Sequence, residues 1–179
     1  MRDLESYNSS VVHMPIFGEI MDKSGRSLGR REIAEEVAEI LQARGFVADT
    51  QLTDGTFFVV ISRRRGGCIG WESTDLNWEA TVTDEGGDVI SSISTTCKSE
   101  SQDVHGIAEV ITSHSIAAGA ELICGWCDDP HNPNSPICGK PAGLMRTYTK
   151  QGIESGEPIA MCDEHLASLA ADGLGIGNA

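Results

Sequence analysis

Cysteine and histidine side chains are concentrated in the last third of the chain, and this cluster restricts the fold more than any other feature. The candidate ligands, five soft donors within about forty residues, are Cys124, Cys127, Cys138, Cys162 and His165. Spacings of this kind place four donors around one tetrahedral ion. The ion then replaces the hydrophobic core that so short a segment cannot build. The sequence therefore predicts a metal site here.

Two strings in this segment have the form of zinc-binding motifs. The string C-G-K-P-A from Cys138 to Ala142 looks like the second half of a zinc knuckle, and C-D-E-H from Cys162 to His165 looks like a closing ligand pair at the start of a helix. Residues 122–172 therefore resemble treble-clef and zinc-ribbon modules. The resemblance implies a metal module in this third of the chain and no single activity.

The choice of four ligands among the five candidates stays open. Ten residues separate Cys127 from Cys138, whereas the two cysteines of a knuckle are usually close together. We favour an arrangement in which Cys127 and Cys138 are both ligands with a loop inserted between them. In the alternative, Cys124 and Cys127 form the knuckle and Cys138 is spare. His131, inside the loop, is a weaker candidate.

The donor set favours a structural Zn²⁺ over a catalytic one. Three thiolates and one imidazole close the coordination sphere, whereas a catalytic zinc keeps a position for water. A redox-active or disulfide role of the cysteines is the next interpretation, followed by catalytic zinc. The acids beside the site, Asp163 and Glu164, are better explained as solvated residues of a helix start than as a general base.

The net charge limits the classes of partner. The chain has 27 acidic and 13 basic residues and a formal net charge of −14. Nucleic-acid binding depends on Lys and Arg displacing counterions, so it is a poor fit, and a protein partner with a basic surface fits better. The single basic run, Arg63 to Arg65, is predicted at a hairpin tip. We interpret it as a solvated turn, with phosphate or acidic-partner binding as the alternative.

Hydrophobic periodicity divides the chain into four parts: an N-terminal arm (1–27), an α+β domain (28–119), a zinc-binding module (120–172) and a flexible tail (173–179). In the α+β domain, apolar residues at helical spacing predict a helix over Arg30–Arg44, capped by Ser27, and a second over Gln102–Ile116. Between them, period-two alternation predicts an antiparallel meander. The expected strands are Phe46–Leu52, Thr56–Ser62, Cys68–Trp71, Asn77–Thr83 and Asp88–Thr95.

The zinc-binding module has weaker patterns. Two strands are expected at Leu144–Thr149 and Pro158–Met161, followed by a helix over His165–Ala171. The fold class is thus α+β: an antiparallel meander with a helix before and after it, followed by a small treble-clef-like module. The three glycines of the tail are the reason for expecting it to fray.

No catalytic motif is present. A nucleophile pair of Cys68 or Cys97 with His105 or His114 is conceivable but has no supporting motif. The sequence has no signal peptide and no run of about twenty apolar residues, and ligand-like cysteines indicate reduced thiols, hence a cytoplasmic protein. We expect a non-enzymatic zinc-containing accessory or regulatory protein, of bacterial or phage type, that binds a protein partner through an acidic surface. An enzyme using the α+β domain and a nucleic-acid-binding protein are the alternatives.

Overall fold

The computed structural model describes residues 28–74, 77–96, 103–126, 132, 134–149, 159–171 and 175–178. The predicted N-terminal arm lies outside them. In chain order the elements are α1 (Arg30–Ala43), β1 (Ala48–Thr53), β2 (Thr56–Ser62), β3 (Cys68–Thr74), β4 (Asn77–Thr83), β5 (Val89–Thr96), α2 (Val104–Ala117), β6 (Leu144–Thr149), β7 (Ile159–Met161), α3 (Asp163–Ala171) and β8 (Gly175–Asn178).

The first five strands form one antiparallel sheet in the order β1-β2-β3-β4-β5, with α1 before it and α2 after it. This confirms the predicted α+β class and the meander. The β1–β2 hairpin turns at Asp54 and Gly55, whose φ angles are 49° and 80°. Positive φ at both central residues matches the twist of the flanking strands, which is why the Asp-Gly pair marks this hairpin.

Helix α1 begins at Arg30, two residues later than a cap at Ser27 would place its start. Its N-cap is Gly29, whose backbone N–H donates to the Glu32 carboxylate at 2.9 Å. A carboxylate three residues into the helix can satisfy the N-cap N–H without a capping side chain at the N-cap itself. The predicted cap, Ser27, falls outside the described residues.

One face of the sheet forms the core. Alternate strand residues are buried there, among them Trp71, which is completely buried and donates its indole N–H to the Ser115 hydroxyl of α2 at 3.0 Å. This bond satisfies the one polar atom that burying a tryptophan brings into the core. The buried apolar sheet residues on this face are Val59, Ile61, Ile69, Trp71, Trp78, Ala80 and Val82.

The segment after α2 continues the same core. Leu122, Cys124 and Ala160 belong to the cluster of buried residues that includes the sheet and both helices. Backbone hydrogen bonds also connect the two parts: the N–H of Glu121 donates to the Ser62 carbonyl at 2.8 Å. Residues on both sides of position 120 therefore pack into one continuous hydrophobic core.

A close backbone approach fixes this connection at the end of α1. Gly45 has a φ of 96°, and a Cβ there would lie 2.4 Å from the Ile123 carbonyl oxygen and 2.5 Å from the Ala160 Cβ. The N–H of Ile123 donates to the Gly45 carbonyl at 2.7 Å. Only glycine tolerates both this conformation and this proximity.

A second sheet, of order β7-β6-β8, follows. Strand β6 pairs antiparallel with β7, as the sequence predicts, and also with β8. Residues 175–178 of β8 lie in the segment that the sequence assigns to a flexible tail. Backbone ladder bonds need no particular side chain, so a glycine-containing segment without hydrophobic periodicity can still pair.

The arginine run at the β2–β3 turn has a structural role. The Arg63 guanidinium donates to the backbone carbonyls of Ala118 and Thr83 at 3.0 and 2.7 Å. The Arg64 guanidinium donates to the backbone carbonyls of Ala142 and Gly143 at 2.7 and 2.8 Å. Two of the three arginines thus hold neighbouring backbone segments together, which a fully solvated turn would not do.

Candidate metal centre

Three chain segments position the candidate ligands. Cys124 and Cys138 lie on two facing segments, residues 122–126 and 138–142, while Cys162 and His165 lie at the start of α3. The Cys162 carbonyl accepts the N–H of Leu166 at 3.0 Å, so this cysteine directly precedes the first helical turn. A C-x2-H pair at a helix start places both side chains on the same side of the first turn.

Backbone hydrogen bonds pair the two facing segments as a short antiparallel ladder. The N–H of Cys124 donates to the Lys140 carbonyl at 2.7 Å, and the Cys124 carbonyl accepts the N–H of Gly139 at 2.9 Å. The N–H of Cys138 donates to the Trp126 carbonyl at 2.8 Å. The two cysteines are therefore brought together although thirteen residues separate them in sequence.

The donor atoms converge on one point. The His165 Nδ1 lies 3.5 Å from the Cys124 sulfur and 3.3 Å from the Cys162 sulfur, and the sulfurs of Cys138 and Cys162 are 3.9 Å apart. The ligand atoms of these four residues all lie within 4.8 Å of one another.

These separations suit a tetrahedral ion. Metal–sulfur bonds of about 2.3 Å and a metal–nitrogen bond of about 2.0 Å set sulfur–sulfur edges of about 3.8 Å and sulfur–nitrogen edges of about 3.5 Å. The observed sulfur–sulfur and sulfur–nitrogen distances lie close to these edges. The four side chains could therefore hold a metal ion.

Burial differs among the four residues. Cys124 is completely buried and Cys162 is 5% exposed, whereas Cys138 and His165 are half-buried. The half-buried Trp126 ring stacks on the His165 imidazole, with centroids 5.4 Å apart and an interplanar angle of 24°. The site is thus anchored in the core on one side and covered by an indole at the imidazole.

The local environment shifts the thiol pKa values in opposite directions. The backbone N–H of His165 donates to the Cys162 sulfur and lowers the pKa of this thiol to about 7. A thiol at a helix start is a favourable position for the thiolate, which is the form that binds metal. Burial instead raises the pKa of Cys124. A cation would offset that cost because it favours the thiolate of Cys124.

Next to the centre, Lys140 and Glu164 form an exposed ion pair with an N–O distance of 2.5 Å. The pair raises the pKa of Lys140 and lowers the pKa of Glu164. It connects the Cys138 segment to the first turn of α3. Because the ion pair lowers the pKa of Glu164 and so weakens its affinity for a proton, Glu164 is a weak candidate for a general base, as the sequence suggests.

The structure brings together Cys124, Cys138, Cys162 and His165, four of the five predicted ligands. The fifth, Cys127, falls outside the described residues, as does His131. Sequence reasoning missed Trp126, although its position two residues after Cys124 was a usable signal. Within the described part of the chain, no second group of three or more Cys, His, Asp or Glu side chains is close enough to share an ion.

The residues of the conceivable cysteine–histidine pair are only partly described. Cys97 lies outside the described residues. The His114 ring lies against the Trp71 ring, with centroids 6.2 Å apart. Elsewhere, none of the helices in the described ranges is both long enough and apolar enough to cross a membrane.

Comparison of the chain with protein-family models, with curated proteins and with solved structures gave no match.

Proposed function

We propose that Cys124, Cys138, Cys162 and His165 bind one structural Zn²⁺ ion in a treble-clef-like module. We also propose that the protein is a non-enzymatic accessory or regulatory protein that binds a protein partner through its acidic surface. The observation that carries this proposal is the convergence of three sulfurs and one nitrogen, which all lie within 4.8 Å of one another.

The donor chemistry supports zinc. Thiolate and imidazole are the ligands of structural zinc sites, and four protein ligands leave no position for a substrate or water. The arrangement of elements supports the treble-clef assignment. Residues 138–142 precede the β6–β7 hairpin, and Cys162 and His165 follow it at the start of α3.

The ion would stabilise the end of the chain against the α+β layer. The Cys124 segment contacts Gly45 and the β7 strand leads into Cys162, so a metal held between them fixes three segments at once. Metal binding of this kind contributes directly to folding free energy.

The charge supports the partner assignment. Acidic side chains are exposed on the helices, strands and turns of the described residues. They are Glu39, Asp49, Asp54, Glu79, Glu85, Asp88, Asp103, Glu109, Asp163 and Glu164. Such a surface attracts a basic protein surface and raises the association rate.

Metal stoichiometry of purified variants tests the centre. We expect one zinc per chain in the wild-type protein and in the controls Cys68→Ser and Cys127→Ser. The metal is lost in Cys124→Ser, Cys138→Ser and Cys162→Ser. Zinc retained in all three of these variants, or lost in Cys127→Ser with Cys138→Ser unaffected, would contradict the proposed ligand set.

Ionic strength tests the partner assignment. Binding of basic candidate proteins is expected to weaken as salt rises through the range in which surface charges become screened. Affinity that does not change with ionic strength would contradict an electrostatic partner surface.

A further inference from the structure

The five-stranded sheet has a second face, opposite its core, that carries a distinct set of residues. Its five strands contain three charged residues, Asp49, Glu72 and Glu79, and all three are acidic. Glu72 and Glu79 lie on this second face because they alternate with the buried positions of their own strands. Asp49 lies there because it is in register with Val60, which stands between the buried Val59 and Ile61. The face has no lysine, arginine or histidine.

Two of these acids oppose each other directly. Glu72 on β3 pairs in register with Glu79 on β4. Like charges at directly opposite positions of an antiparallel pair destabilise the sheet. Many uncharged side chains fit such a position. The Glu72–Glu79 pair therefore lowers the stability of the isolated protein and brings no evident structural benefit.

An aromatic side chain lies beside the acid pair. Phe58 on β2 is in register with Glu72, so one row across the sheet places Phe58, Glu72 and Glu79 side by side. The Phe58 Cδ1 is 3.9 Å from where a Cβ would stand at Gly70, so the ring leans toward a position with no side chain. Phe58 and Glu72 are half-buried and Glu79 is exposed.

This row has the chemistry that recognises a lysine or arginine side chain. A carboxylate pair neutralises the cationic head, and an adjacent aromatic ring attracts the cation and packs against its methylene stem. The same cation removes the repulsion between Glu72 and Glu79. A second copy of this chain would instead bring further acids to the face.

We infer that this face, centred on Phe58, Glu72 and Glu79, is the docking surface for a basic segment of a protein partner, with one Lys or Arg inserted between the two carboxylates. The inference rests on the proposed function, since it locates the partner surface proposed there. The partner's basic side chain is the occupant.

Fluorescence anisotropy with a labelled decapeptide of alternating lysine and valine tests this inference, and a glutamate–valine decapeptide is the control peptide. The test variant is Glu72→Gln/Glu79→Gln. The matched control is Asp54→Asn/Glu85→Gln, which removes the same charge from two exposed turns.

We expect the wild-type chain to bind the lysine peptide in a salt-dependent manner. The Glu72/Glu79 variant should bind about tenfold more weakly, the control less than about twofold more weakly, and Phe58→Leu about threefold more weakly. The Glu72/Glu79 variant should also unfold at a higher temperature than the wild type because the like-charge pair is gone, which separates lost binding from lost folding.

Two other outcomes overturn different claims. Equal weakening in the two double variants would show that the net charge alone attracts the peptide, which overturns the docking surface and leaves an acidic partner surface in place. No binding of the lysine peptide by the wild-type chain at low salt would overturn the electrostatic part of the proposed function itself.

Discussion

The backbone carbonyl of Arg44 accepts a hydrogen bond from the N–H of Ala160 at 2.9 Å. Arg44 is the C-cap of α1, and Ala160 lies in β7, two residues before Cys162. The end of the first helix is therefore hydrogen-bonded to the strand that leads into Cys162 of the candidate metal centre. Changes at the end of α1 should affect metal binding as well as folding.

Gly45→Ala tests this contact. The new methyl group would clash with the Ile123 carbonyl and Ala160 at a φ of 96°, so we expect a loss of about 3 kcal/mol or more of unfolding free energy, together with weaker metal binding. The control is Gly55→Ala, at a φ of 80° with no atom within 4 Å of the new Cβ. It should cost about 1–2 kcal/mol and leave metal affinity unchanged. Urea unfolding with chelator competition measures both, and equal losses in the two variants would contradict the close approach.

The side chain of Arg44 supplies a second test. It is 2% exposed and contacts the Glu109 carboxylate of α2 at 2.5 Å and the Thr112 hydroxyl at 3.0 Å. Glu109→Gln removes the anion that faces a buried guanidinium, so we expect a loss of about 1–2 kcal/mol.

The matched control for Glu109→Gln is Glu35→Gln on α1. Glu35 pairs with Arg31 at 2.7 Å, but both side chains are well exposed. An exposed i,i+4 pair contributes less than about 0.5 kcal/mol. Chemical denaturation of both variants measures the difference, and a larger loss in Glu35→Gln than in Glu109→Gln would be inconsistent with the burial of Arg44.

Metal affinity should fall as the pH falls. The metal binds thiolates, and protons compete for the same sulfurs, so each thiol must lose its proton on binding. The pKa of Cys162 is lowered to about 7 and that of Cys124 is raised, so protons compete for both sulfurs around neutrality. We expect zinc to be held at pH 8 and to dissociate progressively below about pH 6. Competition with a chromophoric chelator at several pH values measures this, and pH-independent affinity would argue against thiolate ligands.

Trp126 is expected to raise the metal affinity of the centre. Its ring stacks on His165, which fixes the orientation of the imidazole. Trp126→Leu should retain the metal but lower its affinity by about tenfold, because groups that orient a ligand contribute to affinity without binding the ion. Chelator competition at fixed pH tests this, with Trp126→Phe as the control that keeps an aromatic ring. An unchanged affinity in Trp126→Leu would mean that the stacking does not support the site.

Periodicity made the α+β layer predictable. The strand at Thr56–Ser62 and the helix around Val37 follow their hydrophobic repeats so closely that the predicted and observed bounds nearly coincide. The proximity of Cys124 and Cys138 could not be predicted the same way. It depends on backbone bonds between segments thirteen residues apart, and Cys127 offered a closer partner in sequence. The β8 strand pairs with β6 through its backbone, for which the sequence of this segment has no periodic signal.

X-ray absorption spectroscopy at the zinc edge on the purified wild-type protein tests the central claim most directly. The proposed centre predicts three sulfur ligands at about 2.3 Å and one nitrogen at about 2.0 Å around a single zinc ion. A protein purified without metal, or a coordination shell of four sulfurs or of mainly oxygen and nitrogen, would contradict it.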